Sequence, residues 1–348
     1  MSIADRFRAE AAQRILIKDG PYGTQIQAAG LSAEQYGAGT GLSRDQKGNN
    51  DLVNLTQAAV IRRICDAYID AGAVLLATNT FNANRISQAD YGAEGLVREI
   101  NEAAARIIRE AVDAATARDG VARFVAGAMG PTNKTLSLSP NVEDPGYREV
   151  NFDEVTDVYR EQAAALIEGG ADFILIETVF DTLNCKAAIM AVKELERELG
   201  REVPVMLSLT LTDLSGRNLS GHTVEAFWHS VRHAKPLAIS LNCSFGADQL
   251  RPHVQVLSQI ADTLVMAYPN AGLPNDLGDY DEEPETTAAL VRRWAEHGQV
   301  NILGGCCGST PAHIAAMARA VAGLAPRKLM KHIPAMRLAG LEPFEIAA

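Results

Sequence analysis

Eight short runs of apolar, largely β-branched residues recur along the chain, at 15–20, 73–81, 124–130, 173–179, 203–211, 237–243, 263–270 and 301–308. Most are separated by stretches whose apolar residues return with the period of a helix. In 56–71, for example, Val60, Ile61, Ile64 and Tyr68 share one face, and 153–168 has the same character. Thr56 and Asp153 are placed to cap helix starts, and Gly72, Gly169 and Gly200 follow helices where a left-handed residue is wanted. Runs that are continuously apolar belong to strands buried on both faces, so the pattern predicts a parallel sheet covered by helices. Eight such units predict a single-domain (β/α)8 TIM barrel over residues 1–325. A doubly wound open sheet is the structural alternative, but no G-x-G-x-x-G opens a helix after the first run. Segments 32–54 and 136–151 read as extended loops at the barrel mouth, and 326–348 as a tail strapped over the barrel or the stub of a linker.

Composition narrows the function more than the fold. With 47% hydrophobic and 22% charged residues the 348-residue chain can bury a sizeable core, and its net charge of −11 argues against a nucleic-acid or anionic-membrane partner. No apolar run approaches the roughly 18 residues that would span a bilayer. The N-terminus carries charges with no apolar stretch behind them, so no secretory signal is expected and a cytoplasmic location is. Five cysteines in a chain of this length do not make a disulfide framework, which fits a reduced compartment.

In a barrel of this kind the catalytic groups sit at the C-terminal ends of the strands, where the following loops converge. Those ends carry Asp19-Gly20, Thr78 to Phe81, Gly130-Pro131-Thr132, Glu177, Asn242-Cys243, Tyr268-Pro269-Asn270 and Gly304 to Gly308. The sixth and eighth strands are near neighbours around the barrel, so Cys243 can face Cys306 and Cys307. Adjacent cysteines close a disulfide only through a strained ring and are better suited to hold one soft metal ion, Zn²⁺ or Cu(I). Three thiolates and a vacancy describe a catalytic site open to a substrate atom. The competing reading is a tight Gly-Gly-Cys-Cys-Gly turn that packs, or an anion-binding nest. Cys65 and Cys185 fall within helices, as small apolar side chains.

A zinc-bound thiol loses its proton, and three cysteinates would leave a fourth, substrate thiolate electron-rich. That favours attack on an activated methyl group over polarisation of water or a carbonyl. Asp19 and Glu177 then read as acceptors for a substrate ammonium, or alternatively as caps of the helices that follow. A Schiff-base aldolase would need a lysine at a strand end, whereas Lys18 lies inside the first run and Lys134 in a loop. A non-catalytic zinc barrel or interaction protein is the remaining class.

Together, Asp19-Gly-Pro-Tyr-Gly-Thr24, Thr78-Asn-Thr-Phe-Asn82, Gly130-Pro-Thr-Asn133, Asn242-Cys243, Tyr268-Pro-Asn-Ala-Gly-Leu-Pro274 and Gly304-Gly-Cys-Cys-Gly308 resemble the homocysteine S-methyltransferase family. The resemblance extends over essentially the whole chain and is greatest to homocysteine-binding modules of cobalamin-dependent methionine synthases. It implies an enzyme forming methionine, in which Cys243, Cys306 and Cys307 bind Zn²⁺ and the homocysteine sulfur is the fourth ligand. It further implies that Asp19 and Glu177 hold the amino-acid end of homocysteine and that Gly20 and Thr80 belong to the same substrate site. Asn270 would fill the fourth metal position when substrate is absent. The implied donor is methylcobalamin bound by a partner. In full-length synthases, folate- and cobalamin-binding modules follow such a barrel, whereas this sequence stops at residue 348. Either the sequence is an excised module of such a synthase or the enzyme is split; the expectation is a split system with separate cobalamin- and folate-binding components. Betaine or S-methylmethionine is the alternative donor within the family. Either would favour an aromatic cage, with Tyr22, Phe81 and Tyr268 as candidates.

Overall fold

The computed structural model describes residues 1–331 and 334–346, so positions 332–333 and 347–348 of the predicted tail lie outside the described residues. Eight parallel strands form one sheet: β1 (Leu16–Ile17), β2 (Leu75–Ala77), β3 (Phe124–Met129), β4 (Phe173–Val179), β5 (Val205–Leu209), β6 (Ala238–Gly246), β7 (Leu264–Asn270) and β8 (Ile302–Leu303). From β2 to β8 each strand pairs with the next in sequence, and β8 pairs with β1. The last gap, between β1 and β2, is bridged where the Asp19 N–H donates to Leu75 O (3.0 Å) and the Val74 N–H to Ile17 O (2.8 Å). The result is the (β/α)8 barrel that the pattern of apolar runs predicts.

Period-two alternation sorts each strand into two cores. Val125, Ile174, Leu207, Ile239 and Val265 face outward into the layer between sheet and helices. Phe124, Phe173, Met206, Ala238 and Met266 face inward. The helix Ile3–Gln13 plugs the N-terminal end of the barrel, placing Phe7 edge-on against Phe124 (4.9 Å between ring centres) and Phe173 (5.1 Å). With that end filled, the mouth formed by the strand C-termini is the end left for chemistry.

Several boundaries differ from expectation, for local reasons. Asn151 caps the helix Phe152–Glu168 in place of Asp153, because its side chain and Glu154 exchange reciprocal bonds with backbone amides. Thr56 ends a short helical turn, and the helix Ala58–Asp70 starts from Gln57 without a side-chain cap. Gly170, not Gly169, takes the left-handed conformation (φ 108°). The loop 32–54 contains the helix Ala33–Gly37, capped by Ser32 and Gln35.

Described residues beyond the last helix contact the barrel. Arg327 is buried at the N-terminal side of β7, donating to Ser258 O and Thr263 O (each 2.9 Å) and to Ala261 O. Beyond it, β9 (Met336–Ala339) and β10 (Pro343–Ile346) form an antiparallel hairpin whose turn accepts the Thr223 N–H at Leu341 O (3.1 Å). Among the described residues no helix is long and apolar enough to cross a membrane.

Candidate metal and substrate site

Asn242 faces into the barrel, so regular alternation would send Cys243 outward beside the sheet. The register of β6 instead breaks after Asn242, and Cys243 (φ 59°) and Ser244 (φ 62°) both adopt left-handed conformations. β4 breaks in the same layer, with Thr178 at φ 57°. Non-glycine residues in this region cost about 1–3 kcal/mol each and persist only where their surroundings hold them. Ser244 is held by its hydroxyl, which pairs with that of Thr210 (2.7 Å) and donates to Leu211 O, and Thr178 is held by Asn242. The Asn242 Nδ2 donates to Thr178 Oγ1 (2.9 Å), and its Oδ1 accepts from the Thr178 N–H (3.2 Å) and the Ser208 hydroxyl (2.6 Å). The break turns Cys243 toward the mouth.

The other two thiols come from the turn after β8. The Cys306 N–H donates to Pro269 O (2.8 Å) and Cys307 O accepts the Ala271 N–H (2.9 Å), which fastens the turn to the end of β7. Gly308 closes it at φ 78°, and a Cβ there would stand 2.3 Å from Tyr280 Cβ, so no larger residue fits. The three Sγ atoms lie within 4.8 Å of one another, Cys243 and Cys307 at 3.9 Å. A Zn–S bond of about 2.3 Å in tetrahedral geometry puts ligand sulfurs about 3.8 Å apart, whereas a disulfide needs about 2.05 Å. The spacing fits ligands of one ion and not a bridge. Hydrogen bonds from Cys243 and Cys306 hold the Cys307 thiol far down, at about 3, while the same contacts push Cys306 well above its ordinary value. Three thiols this close share one easily lost proton until a cation compensates the rest.

These sulfurs line a cavity of about 330 Å³, together with Lys18, Glu177 and Tyr268. Gly20 and Thr80 also line it. A Cβ on Gly20 would meet Tyr68 Oη at 2.7 Å, so the glycine lets the chain pass close to that ring. The Thr80 hydroxyl is committed to Ala128 O (2.6 Å) and pairs with that of Thr78 (2.6 Å), holding the loop. Glu177 presents its carboxylate to the cavity, with Oε2 accepting from the Tyr268 hydroxyl (3.1 Å), and burial pushes its pKa up. Asp19 is fully buried behind Lys18, with Oδ1 on Lys18 Nζ (2.8 Å) and Oδ2 on the Ala77 N–H (2.7 Å). Asn270 is buried in β7 between the two residues that fasten the cysteine turn, and its Oδ1 has no hydrogen-bond partner.

Two residues escaped the sequence reading. Lys18 lies not inertly inside its run but at the mouth, with its ammonium 4.7 Å above the Tyr268 ring. Burial alone would lower its pKa, but Asp19 and Glu177 outweigh that and hold it above the ordinary value, which disfavours the free amine that Schiff-base chemistry needs. Counting two positions on from inward-facing Leu16 would have found it. Asp51, also lining the cavity, accepts the Asn82 N–H (3.0 Å), and burial raises its pKa to about 7. It comes from the long first loop, pinned by Asn54 to Asn79 O (2.7 Å) and by Asn79 to Asn50 O (2.7 Å). No periodic signal marks such a residue.

Residues 16–321 match the family described as homocysteine S-methyltransferase. Among solved structures, the chain is similar to the homocysteine methyltransferase MmuM from Escherichia coli. Its metallated form aligns at 23% identity over 91% of this chain and 99% of that one, with a TM-score of 0.70. The oxidized form aligns at 22% identity over 88% and 96%, with a TM-score of 0.68. The apo form aligns at 20% identity over the same shares, with a TM-score of 0.65. At such identities the solved structures speak for the fold, and the match over residues 16–321 speaks for the chemistry: this chain is a methyltransferase belonging to the homocysteine S-methyltransferase family.

Proposed function

We propose that this barrel methylates homocysteine to methionine, holding Zn²⁺ on Cys243, Cys306 and Cys307 and taking the methyl group from a methylcorrinoid carried by a separate protein. The observation that carries this reading is the convergence of three sulfurs, at the spacing of a single tetrahedral ion, beside a cavity that also bears Glu177. Zinc bound there would accept the substrate sulfur and keep it deprotonated at neutral pH. The sulfur's electron pair forms the new S–CH₃ bond, the bond from carbon to the donor breaks, and that bond's electrons leave with the donor. Glu177 receives the substrate ammonium, and Asp19 acts from behind through Lys18. Asn270, whose buried side-chain oxygen has no hydrogen-bond partner, would be the ligand when no thiol is present. Asn242 ties the β6 break beside Cys243 to Thr178 and Ser208.

The surroundings favour a macromolecular donor. The loops after β3, β5 and β7 expose Val142 (90%), Leu214 (78%) and Leu277 (88%) around the mouth. Apolar side chains this exposed on three loops at one end of a barrel suit a docking partner. The candidate cage for a betaine or sulfonium donor, by contrast, is largely engaged. Lys18 already covers the Tyr268 ring, and Tyr22 is buried against Tyr68 (6.2 Å), which leaves Phe81.

The test is methyl transfer to homocysteine with four donors: a methylated corrinoid protein, free methylcobalamin, betaine and S-methylmethionine. The corrinoid protein is expected to be fastest. The pair Val142→Glu and Leu277→Glu is expected to slow that reaction at least about tenfold while changing transfer from free methylcobalamin by less than about twofold. Equal rates from free and protein-bound corrinoid would remove the partner from the account, and faster transfer from betaine or S-methylmethionine would replace the donor.

A further inference from the structure

We infer that Lys18 is the receptor for the α-carboxylate of the thiol substrate, and so sets the site's preference for amino-acid thiols. The inference rests on the reading of the site as one for homocysteine. Lys18 follows Leu16 by two positions, which turns its side chain into the barrel in the same polar layer as Glu177, Ser208, Asn242 and Tyr268. The residue is 3% exposed, and its ammonium has Asp19 Oδ1 as its one hydrogen-bond acceptor among the described residues. An ammonium carries three donors. The face of Tyr268 meets the charge on one side, so donors remain for a ligand in the cavity that Lys18 lines.

Charge points the same way. Of the described residues lining that cavity, Lys18 is the one lysine, arginine or histidine, beside Glu177, Asp51 and three thiols. A substrate carboxylate entering there can meet neutral hydroxyl and amide donors, but Lys18 is the one lining side chain that offers it a positive charge, against the carboxylates of Glu177 and Asp51. A single tyrosine organises both ends of the amino-acid recognition, with Lys18 over its ring at 4.7 Å and Glu177 on its hydroxyl at 3.1 Å. A zwitterion, whose opposite charges stand on one carbon, is complementary to such a pair of fixed opposite charges.

The experiment compares three thiols in the zinc-loaded protein with free methylcobalamin: homocysteine, 4-sulfanylbutanoate (no ammonium) and 3-aminopropane-1-thiol (no carboxylate). Lys18→Gln is expected to raise KM for homocysteine and 4-sulfanylbutanoate about ten- to a hundredfold more than for 3-aminopropane-1-thiol, with kcat for homocysteine little changed. Lys18→Arg should recover most of that loss. Calorimetric titration with homocysteine should show the same rise in Kd, with zinc content unaltered. Since Asp19 loses its partner, Lys18→Gln paired with Asp19→Asn provides a second variant that leaves no lone buried charge. Equal rises for all three thiols, or a fall in kcat or zinc content without a change in selectivity, would overturn the assignment and make Lys18 a support of the metal site. If the unmodified protein methylates none of the three, the homocysteine reading itself fails, whereas a flat selectivity pattern on an active protein defeats only the role of Lys18.

Discussion

Replacing Cys307 with serine is expected to remove bound zinc and to slow methyl transfer at least about a thousandfold, while the barrel stays folded. Two losses combine. Without the metal a substrate thiol is only a few per cent ionised at neutral pH, which forfeits roughly thirtyfold, and the loss of a fixed position for the sulfur forfeits about a hundredfold more. Folding should survive, because Cys307 is half-buried in a mouth loop while the stability of the barrel resides in its two apolar layers and the Phe7 plug. Metal analysis, single-turnover methyl transfer and a thermal melt of the same sample check the three parts. A melt that collapses with the metal would mark the thiolates as a structural staple, the non-catalytic alternative.

Glu177→Gln is expected to raise KM for homocysteine about a hundredfold, equivalent to about 2.7 kcal/mol, with a much smaller change in kcat. The carboxylate is half-buried, so the attraction it offers an ammonium is only partly screened, and its neutral replacement leaves the substrate's positive end without a charged partner in the cavity. In the proposed reaction the sulfur would be held at the three cysteines rather than at Glu177, which is why binding is expected to suffer more than the chemical step. Steady-state kinetics separate the two. A fall in kcat at unchanged KM would mean that Glu177 acts on the methyl transfer itself.

The legible and illegible parts of this protein divide along physical lines. Strands buried on both faces announce themselves as apolar runs, so the barrel and the location of its mouth follow from the sequence. Cys306 and Cys307 stand out because two adjacent thiols between glycines have few other uses. Cys243 was legible only through the fold, since nothing in 237–243 signals the break after Asn242 that turns it into the mouth. Asp19 could be read as polar and well placed, but not that Lys18 and Ala77 would claim both its oxygens. Lys18 was hidden by its apolar neighbours and Asp51 by a loop without period. Helix starts failed by one or two residues where competing caps were adjacent, as at Asn151.

The most direct test of the central claim is zinc content together with zinc X-ray absorption on the purified protein, with and without homocysteine. About one zinc per chain is expected, with three sulfur neighbours rising to four when homocysteine is added. No zinc, or a sulfur shell unchanged by homocysteine, would contradict it: the cysteine turn would then be a packing element or a closed site, and the methyl acceptor would have to be sought elsewhere.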